Sequence, residues 1–280
     1  MTTAPKQVPP EPIVLDGLAG PVFAIHWPGH RSHDSGYAVI YLPPFAEELN
    51  RARRMAALQA QMLAAAGIGM LALDPYGCGD SGGDFRDARW ETWLDDAVRA
   101  VAWMRARGYG SITLLGLRLG ALLALAVAAT TRISRVMLWN PVLRGDQMIT
   151  QFLRLRLAAD LSGGKKGEST SEMRQALAKG DSIEIAGYEL SGELVSAIDT
   201  LRIADLGAAI TTPIDWIDVV PTAGQSPPPA HEQVMTKWRT AGTTFTYHQV
   251  AGEPFWNLQE TTIAPDLLKL TAHLLESGRT

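Results

Sequence analysis

The chain has 280 residues, 46% of them hydrophobic and 19% charged, with 25 Lys and Arg against 29 Asp and Glu. The net charge of −4 argues against a nucleic-acid partner, because such partners are bound through a surplus of positive charge. Cys78 is the single cysteine, which excludes an intrachain disulfide and a cysteine metal cluster. No phosphate loop, dinucleotide fingerprint or metal-ligand spacing occurs, so neither a metal nor another cofactor is expected. No apolar run reaches about 18 residues and the first residues are polar, which predicts a cytoplasmic protein without a transmembrane segment.

Apolar runs alternate with amphipathic segments along most of the chain. The runs predicted as strands are Ile13–Leu15, Val22–Trp27, Tyr37–Leu42, Ile68–Leu73, Ser111–Leu115, Arg135–Trp139, Ile214–Val219 and Thr244–Val250. The main predicted helices are Arg51–Ala66, Trp90–Arg107, Leu119–Ala129, His231–Ala241 and Ile263–Leu275. Buried strands that alternate with helices favour parallel βαβ units, so the sequence predicts an α/β fold with a mostly parallel eight-stranded sheet.

Changes in this pattern divide the chain into three parts. Residues 1–11 are polar and rich in proline, and they are predicted to form a flexible leader. Residues 12–143 and 208–280 carry the strand and helix alternation of the core. Residues 144–207 lack it, with amphipathic pieces at 148–161, 173–178 and 194–203 and one short strand candidate at 182–188. This region is predicted to be a mostly helical cap inserted after the sixth strand.

One stretch joins the fifth predicted strand to a helix rich in alanine and leucine. It runs from Leu114 to Ala121 and reads LLGLRLGA, with Gly116 and Gly120 four residues apart. This is the spacing of the G-x-S-x-G nucleophile elbow, in which the glycines let strand and helix approach closely. The middle residue, where a nucleophile would lie, is Arg118, which cannot lose a proton near neutral pH. The stretch predicts the architecture of a catalytic site without its reactive atom.

Several further segments carry a family resemblance. LALDPYGCGDSGGDF resembles the loop after the fourth strand of α/β-hydrolases, and together with the elbow it implies the α/β-hydrolase fold. More narrowly, PPFAEELNRARRM, GCGDSGGDFRDARWETWLDD, GLRLGALLAL, TQFLRLRLAADL, AGYELS and GEPFWN resemble the family called hydrolase 2, exosortase A system-associated. That resemblance implies a bacterial protein linked to exopolysaccharide production, with a component of that system or of protein sorting as a partner.

The triad positions of the fold can be assigned one at a time. Arg118 occupies the nucleophile position, and Glu253 occupies the position after the last strand where a histidine is expected. Asp218, near the end of the seventh strand, is the candidate acid, while the alternative position after the sixth strand holds Asn140. Arginine and glutamate can form a charge-assisted pair, so Arg118 is predicted to pair with Glu253, with Asp218 and Glu47 as the next candidates.

The same positions also predict an anion-binding site. Helix N-termini attract anions, and an arginine beside one strengthens the effect. Arg118, Glu47 and Asn140 are the predicted ligand-binding residues. The donors equivalent to an oxyanion hole are the backbone N–H groups of Phe45 and Leu119.

Four interpretations stay open at this stage. Arg118 and Glu253 could close a pocket as a plain salt bridge, or the site could bind a small anion under the cap. The chain could be an ester or amide hydrolase that uses Ser81, Cys78 or a water activated near Glu253 and Asp218. It could also be a structural interaction module. The leading hypothesis is a non-hydrolytic accessory protein that binds an anionic ligand or a partner, and the oligomeric state is left open.

Overall fold

The computed structural model describes residues 9–29, 36–163 and 167–278. Its strands are β1 (Glu11–Asp16), β2 (Pro21–Trp27), β3 (Tyr37–Leu42), β4 (Gly69–Leu73), β5 (Ser111–Leu117), β6 (Arg135–Trp139), β7 (Ser182–Ile185), β8 (Tyr188–Ser191), β9 (Ile214–Val220) and β10 (Phe245–Ala251). Its helices are α1 (Glu47–Ala65), α2 (Trp90–Ala106), α3 (Leu119–Thr130), α4 (Gly145–Ser162), α5 (Thr170–Ala178), α6 (Gly192–Asp199), α7 (Ile203–Ala208), α8 (Pro229–Ala241) and α9 (Pro265–Ser277).

Eight of these strands form one sheet, in the order β1-β2-β4-β3-β5-β6-β9-β10. β2 pairs antiparallel with both β1 and β4, and all the other neighbours are parallel. Every strand predicted for the sheet is present. The α/β-hydrolase fold predicted from the sequence is confirmed.

The central strands are apolar along their whole length because helices cover both faces of the sheet. α2, α3 and α8 contribute to the core on one face, and α1 and α9 contribute to the core on the other. Each parallel strand ends at the same edge, which brings the N-termini of α1 and α3 together there. This edge is where the predicted site residues can meet.

The region after β6 contains helices and a small hairpin. One short strand was considered at 182–188, but the structure forms two, β7 and β8, because Ala186 and Gly187 adopt positive φ and reverse the chain. Phe152 of α4 and Tyr188 of β8 pack on Phe45 and Phe85 of the core, with ring centroids 5.1 Å and 5.0 Å apart. These elements therefore contact Phe45 and Phe85 in loops at the carboxyl edge of the sheet.

The predicted flexible leader and the predicted end of the cap at residue 207 stay predictions. Residues 1–8 of the predicted leader lie outside the described residues, and β1 already begins at Glu11. α7, which spans the predicted cap boundary at residue 207, packs against α3 and α8 of the core. No helix within the described ranges is long and apolar enough to cross a membrane.

Candidate functional site

The turn between β5 and α3 has the geometry of an elbow. Arg118 adopts φ 56° and ψ −114° as the residue before α3, a conformation rare for a residue with a side chain. A Cβ at Gly116 would lie 2.2 Å from the carbonyl oxygen of Gly120, and a Cβ at Gly120 would lie 2.1 Å from that of Leu42. Both glycines are therefore required for the close approach of β3, β5 and α3. The predicted elbow is present, and it presents Arg118.

Three groups surround the guanidinium of Arg118. Its Nε donates to Glu48 Oε1 at 3.4 Å, and its Nη1 donates to the carbonyl oxygen of Asn140 at 3.4 Å. The guanidinium carbon lies 5.6 Å from the ring centroid of Trp256, within the range of a cation–π contact. The side chains of Arg118 and Glu48 are 21% and 20% exposed. The arginine is thus held by two long hydrogen bonds and keeps part of its surface open.

The predicted pair of Arg118 with Glu253 is wrong. Glu253 is exposed, and the ion pair of Arg118 is with Glu48 of α1. The loop after β10 makes a tight turn in which the Phe255 amide donates to the Glu253 carbonyl at 2.8 Å. That turn buries the rings of Phe255 and Trp256 and leaves the carboxylate of Glu253 in solvent. Burial of two aromatic rings outweighs the attraction of one exposed charge.

Asp218 is buried with other partners. Its Oδ1 accepts from Trp216 Nε1 and its Oδ2 from the Tyr247 hydroxyl, both at 2.8 Å, and His231 Nδ1 lies 2.8 Å from Oδ2. Because side chains alternate along a strand, Asp218 shares the face of β9 that carries Trp216, packed under α8. The structure therefore does not bring Asp218 together with Arg118.

The side chains of Asn140 and Glu47, both predicted to bind a ligand beside Arg118, have other partners in the structure. The side chain of Asn140 joins β6 to β9, with Oδ1 accepting from the Val219 amide at 2.7 Å. Asn140 reaches Arg118 through its backbone carbonyl instead. Glu47 lies 3.8 Å from Arg51 one helical turn later on α1. Of the two, only Asn140 touches Arg118, and it does so with its main chain.

Phe45 and Leu119, the predicted equivalents of oxyanion donors, lie just before α1 and at the start of α3. Phe45 ends the loop after β3 and Leu119 begins α3, and both side chains are buried. They line an apolar pocket of about 20 Å³, room for about one water molecule. Ligand pockets commonly measure about 300–1,000 Å³. This pocket is too small for the acyl part of a substrate.

The other nucleophile candidates are sealed in the loop after β4. The hydroxyl of Ser81 donates to the Asp74 carbonyl and accepts from the Phe23 amide, so it fixes the loop to β2. Cys78 is buried, and burial raises the pKa of its thiol. Asp74 accepts from Arg53 and from the Asp80 amide, a structural role in the turn. Neither Ser81 nor Cys78 is prepared for nucleophilic attack.

Glu48 is the partner of Arg118 that sequence reasoning did not assign. Burial raises the pKa of its carboxyl, while the neighbouring charge of Arg118 lowers it in part. Its Oε2 is buried and accepts no hydrogen bond from any described residue. The available signal was its place in the first turn after the loop of Phe45, at the sheet edge where α3 also begins.

The described residues contain no cluster of three or more His, Cys, Asp or Glu side chains that could hold a metal ion. The arrangement at Arg118 is therefore best described as a partly open cation beside a helix N-terminus. This arrangement has the charge and the hydrogen-bond donors that an anion requires. The carboxylate of Glu48 accepts from one of those donors, Arg118 Nε.

Comparison with protein families identifies a family model that matches the chain. The family described as serine aminopeptidase, S33 matches residues 39–179, half of the chain, including the elbow and the loop after β4. The chain belongs to the serine aminopeptidase S33 family. Within this family the name implies a serine nucleophile, and this member carries Arg118 in its elbow. Comparison with curated protein sequences finds no relative that matches the chain.

Solved structures share the fold at low sequence identity. Est1E from Butyrivibrio proteoclasticus, solved with ferulic acid bound, is 17% identical, with 95% of this chain and 97% of that chain covered and a TM-score of 0.65. DcsB in complex with its substrate analogue is 13% identical, with coverage of 96% and 99% and a TM-score of 0.64. Proline iminopeptidase from Mycobacterium smegmatis is 12% identical, with coverage of 96% and 99% and a TM-score of 0.60. At these identities the likeness concerns the fold of this S33 family member.

Proposed function

We propose that this protein is a non-hydrolytic accessory protein that binds a small anionic ligand at Arg118 under the cap. The observation that carries the proposal is the partly open guanidinium of Arg118 at the N-terminus of α3, held by a 3.4 Å contact to Glu48. A cation at a helix N-terminus opposes the helix dipole and is stabilised by an incoming anion. The backbone N–H groups at the start of α3 add donors for the same anion.

The residues at this elbow do not suit hydrolysis. The elbow presents no nucleophile, and Asp218 and Glu253 stay away from Arg118. The pocket beside Phe45 and Leu119 is nearly filled. The ligand classes that suit the site are carboxylates, phosphates and acidic sugars. The resemblance to exosortase A system-associated proteins supports a cytoplasmic role in exopolysaccharide production, with a component of that system as partner.

A thermal-shift panel tests the binding proposal. Acetate, ferulate, phosphate, sulfate and glucuronate are added to the folded protein, and its melting temperature is recorded. At an anion concentration about 100 times its dissociation constant, the free energy of unfolding should rise by about 2.7 kcal/mol. Arg118→Gln should abolish this gain, whereas Glu253→Gln, a change at an exposed carboxylate in the loop that carries Trp256, should leave it intact. Absence of any shift across the panel would favour a structural interaction module.

A fluorophosphonate probe, which labels activated serines, tests the hydrolase alternative. We expect no labelling of the native protein, because the elbow holds Arg118 and the Ser81 hydroxyl is hydrogen-bonded inside a loop. The readout is the mass of the intact protein. Stoichiometric labelling that Ser81→Ala removes would identify a working serine and overturn the non-hydrolytic proposal.

A further inference from the structure

The partner of Arg118 is a carboxylate that an incoming anion has to displace. Glu48 Oε1 accepts from Arg118 Nε at 3.4 Å, a long contact for a charge-assisted hydrogen bond. An anion bound in front of the guanidinium would compete for the same N–H donors. What happens to the displaced carboxylate therefore decides how much of the binding energy is retained.

Glu48 has little to stabilise its charge apart from Arg118. Its Oε2 is buried and unpartnered among the described residues, and so is the hydroxyl of Tyr41 on β3, which packs under α1. Burial raises the pKa of both groups, and the charge of Glu48 contributes to the raised pKa of Tyr41. A carboxylate that loses its cation in such surroundings bears an uncompensated desolvation penalty.

The other charged groups near Glu48 are already engaged. On its own helix, Glu47 lies 3.8 Å from Arg51, and Arg51 also donates to the Asn257 carbonyl at 3.1 Å. Arg53, two residues after Arg51, donates to Asp74 at 2.8 Å. Glu47 raises the pKa of Glu48 and Arg51 lowers it, with weaker effects than burial and Arg118. None of these cations takes the place of Arg118.

Uptake of a proton resolves this conflict. We propose that Glu48 becomes a neutral acid when an anion binds Arg118, so that each anion enters the site together with one proton. The inference rests on the proposed function and assigns its regulation. The anion bonds to Arg118, the proton comes from solvent and stays on Glu48, and the net charge of the site does not change for a singly charged anion.

Isothermal titration calorimetry with sulfate tests the inference on the full chain. Titrations at several pH values, each in two buffers of different ionisation enthalpy, give the dissociation constant and the number of protons taken up. As the pH rises above the pKa of Glu48 in the protein without an anion, we expect the dissociation constant to rise by up to about tenfold per pH unit, with uptake approaching one proton. Glu48→Gln should bind sulfate more tightly, with no pH dependence. Glu47→Gln, the adjacent carboxylate, should keep the pH dependence.

The outcomes separate the two proposals. Sulfate binding to the native protein that depends on Arg118 but involves no proton would overturn this inference and leave the anion site standing. Absence of sulfate binding to both the native protein and Glu48→Gln would overturn the anion site and this inference with it. Circular dichroism of each variant establishes that a loss of binding is not a loss of fold.

Discussion

At the residue scale, the chemistry of the elbow depends on the pair Arg118–Glu48. The left-handed backbone at position 118 costs about 1–3 kcal/mol in a residue with a side chain, and the helix dipole adds a further penalty for a cation. Glu48 offsets part of this cost, but its own carboxyl is desolvated. The proposed anion site rests on these two charges, one on a strained backbone and one desolvated, which compensate each other.

Sequence reasoning found one member of this pair and not the other. Arg118 follows from the glycine spacing of the elbow, which is a local signal. Glu48 was overlooked because α1 was predicted to begin at Arg51, whereas it begins at Glu47. In a helix, adjacent residues point about 100° apart, so Glu47 reaches Arg51 while Glu48 faces the elbow. The direction of the Glu48 side chain can be predicted only when α1 is known to begin at Glu47, at the edge of the sheet.

A second buried carboxylate, Asp96 on α2, makes stability depend on pH. Asp96 is 1% exposed, its Oδ2 accepts from the Tyr76 amide at 2.8 Å, and its Oδ1 has no partner among the described residues. Burial raises the pKa of Asp96 from its ordinary 3.8 to about 6. The folded protein therefore binds more protons than the unfolded chain between these values, and stability falls as the pH rises through about 6.

Substitution Asp96→Asn should remove this loss. A shift of about two pKa units corresponds to roughly 3 kcal/mol, so the variant should be up to that much more stable near pH 8 and little changed near pH 4. Urea unfolding at both pH values measures the difference. Asp95→Asn, the adjacent carboxylate paired with Arg99, is the matched control and should show no gain above pH 6. A variant destabilised at pH 8 would contradict the assignment.

At the element scale, the elbow needs glycine at 120 for contact between backbones. A Cβ there would lie 2.1 Å from the carbonyl oxygen of Leu42 and 2.6 Å from that of Pro43, and neither backbone group can move without shifting β3. Gly120→Ala should lower the free energy of unfolding by about 3 kcal/mol or prevent folding. Gly110→Ala, where a Cβ meets open space, should change it by about 1 kcal/mol or less. Denaturant unfolding of both variants measures the two free energies of unfolding. Equal stability of Gly120→Ala and Gly110→Ala would contradict the close approach of the backbones at Gly120.

The strands of the sheet could be predicted from the sequence, whereas the elements after β6 that contact loops at its edge were harder to predict. β3 and β5 are continuous apolar runs, and their burial on both faces makes such runs diagnostic. The sequence predicts a single short strand where the hairpin of β7 and β8 forms, because each of its strands has only four residues. Its turn at Ala186–Gly187 depends on a positive φ at an alanine, which carries no sequence signal.

At the scale of the whole molecule, the fold determines which residues can meet at the carboxyl edge. Parallel pairing of β3 with β5 sets the starts of α1 and α3 side by side, and so Glu48 reaches Arg118 across 70 positions of sequence. The loop after β10 was expected at the same edge and does arrive there, but with Trp256 against the guanidinium. Topology could be predicted from the sequence, whereas the side chains that a long loop turns inward could not.

Membership of the serine aminopeptidase S33 family makes the elbow of this chain a departure within a common architecture. The eight-stranded sheet and the elbow turn are present, and the residue at the turn is Arg118. Under the proposed function, this scaffold positions the N-terminus of α3 and its N–H donors for binding without hydrolysis.

A crystal structure of the protein with saturating sulfate tests the central claim most directly. The account predicts sulfate within hydrogen-bond distance of the Arg118 guanidinium and of the first N–H groups of α3, with Glu48 turned away from Arg118. Glu48 still bound to Arg118, with no anion at the elbow and a sulfate effect on stability that persists in Arg118→Gln, would contradict it.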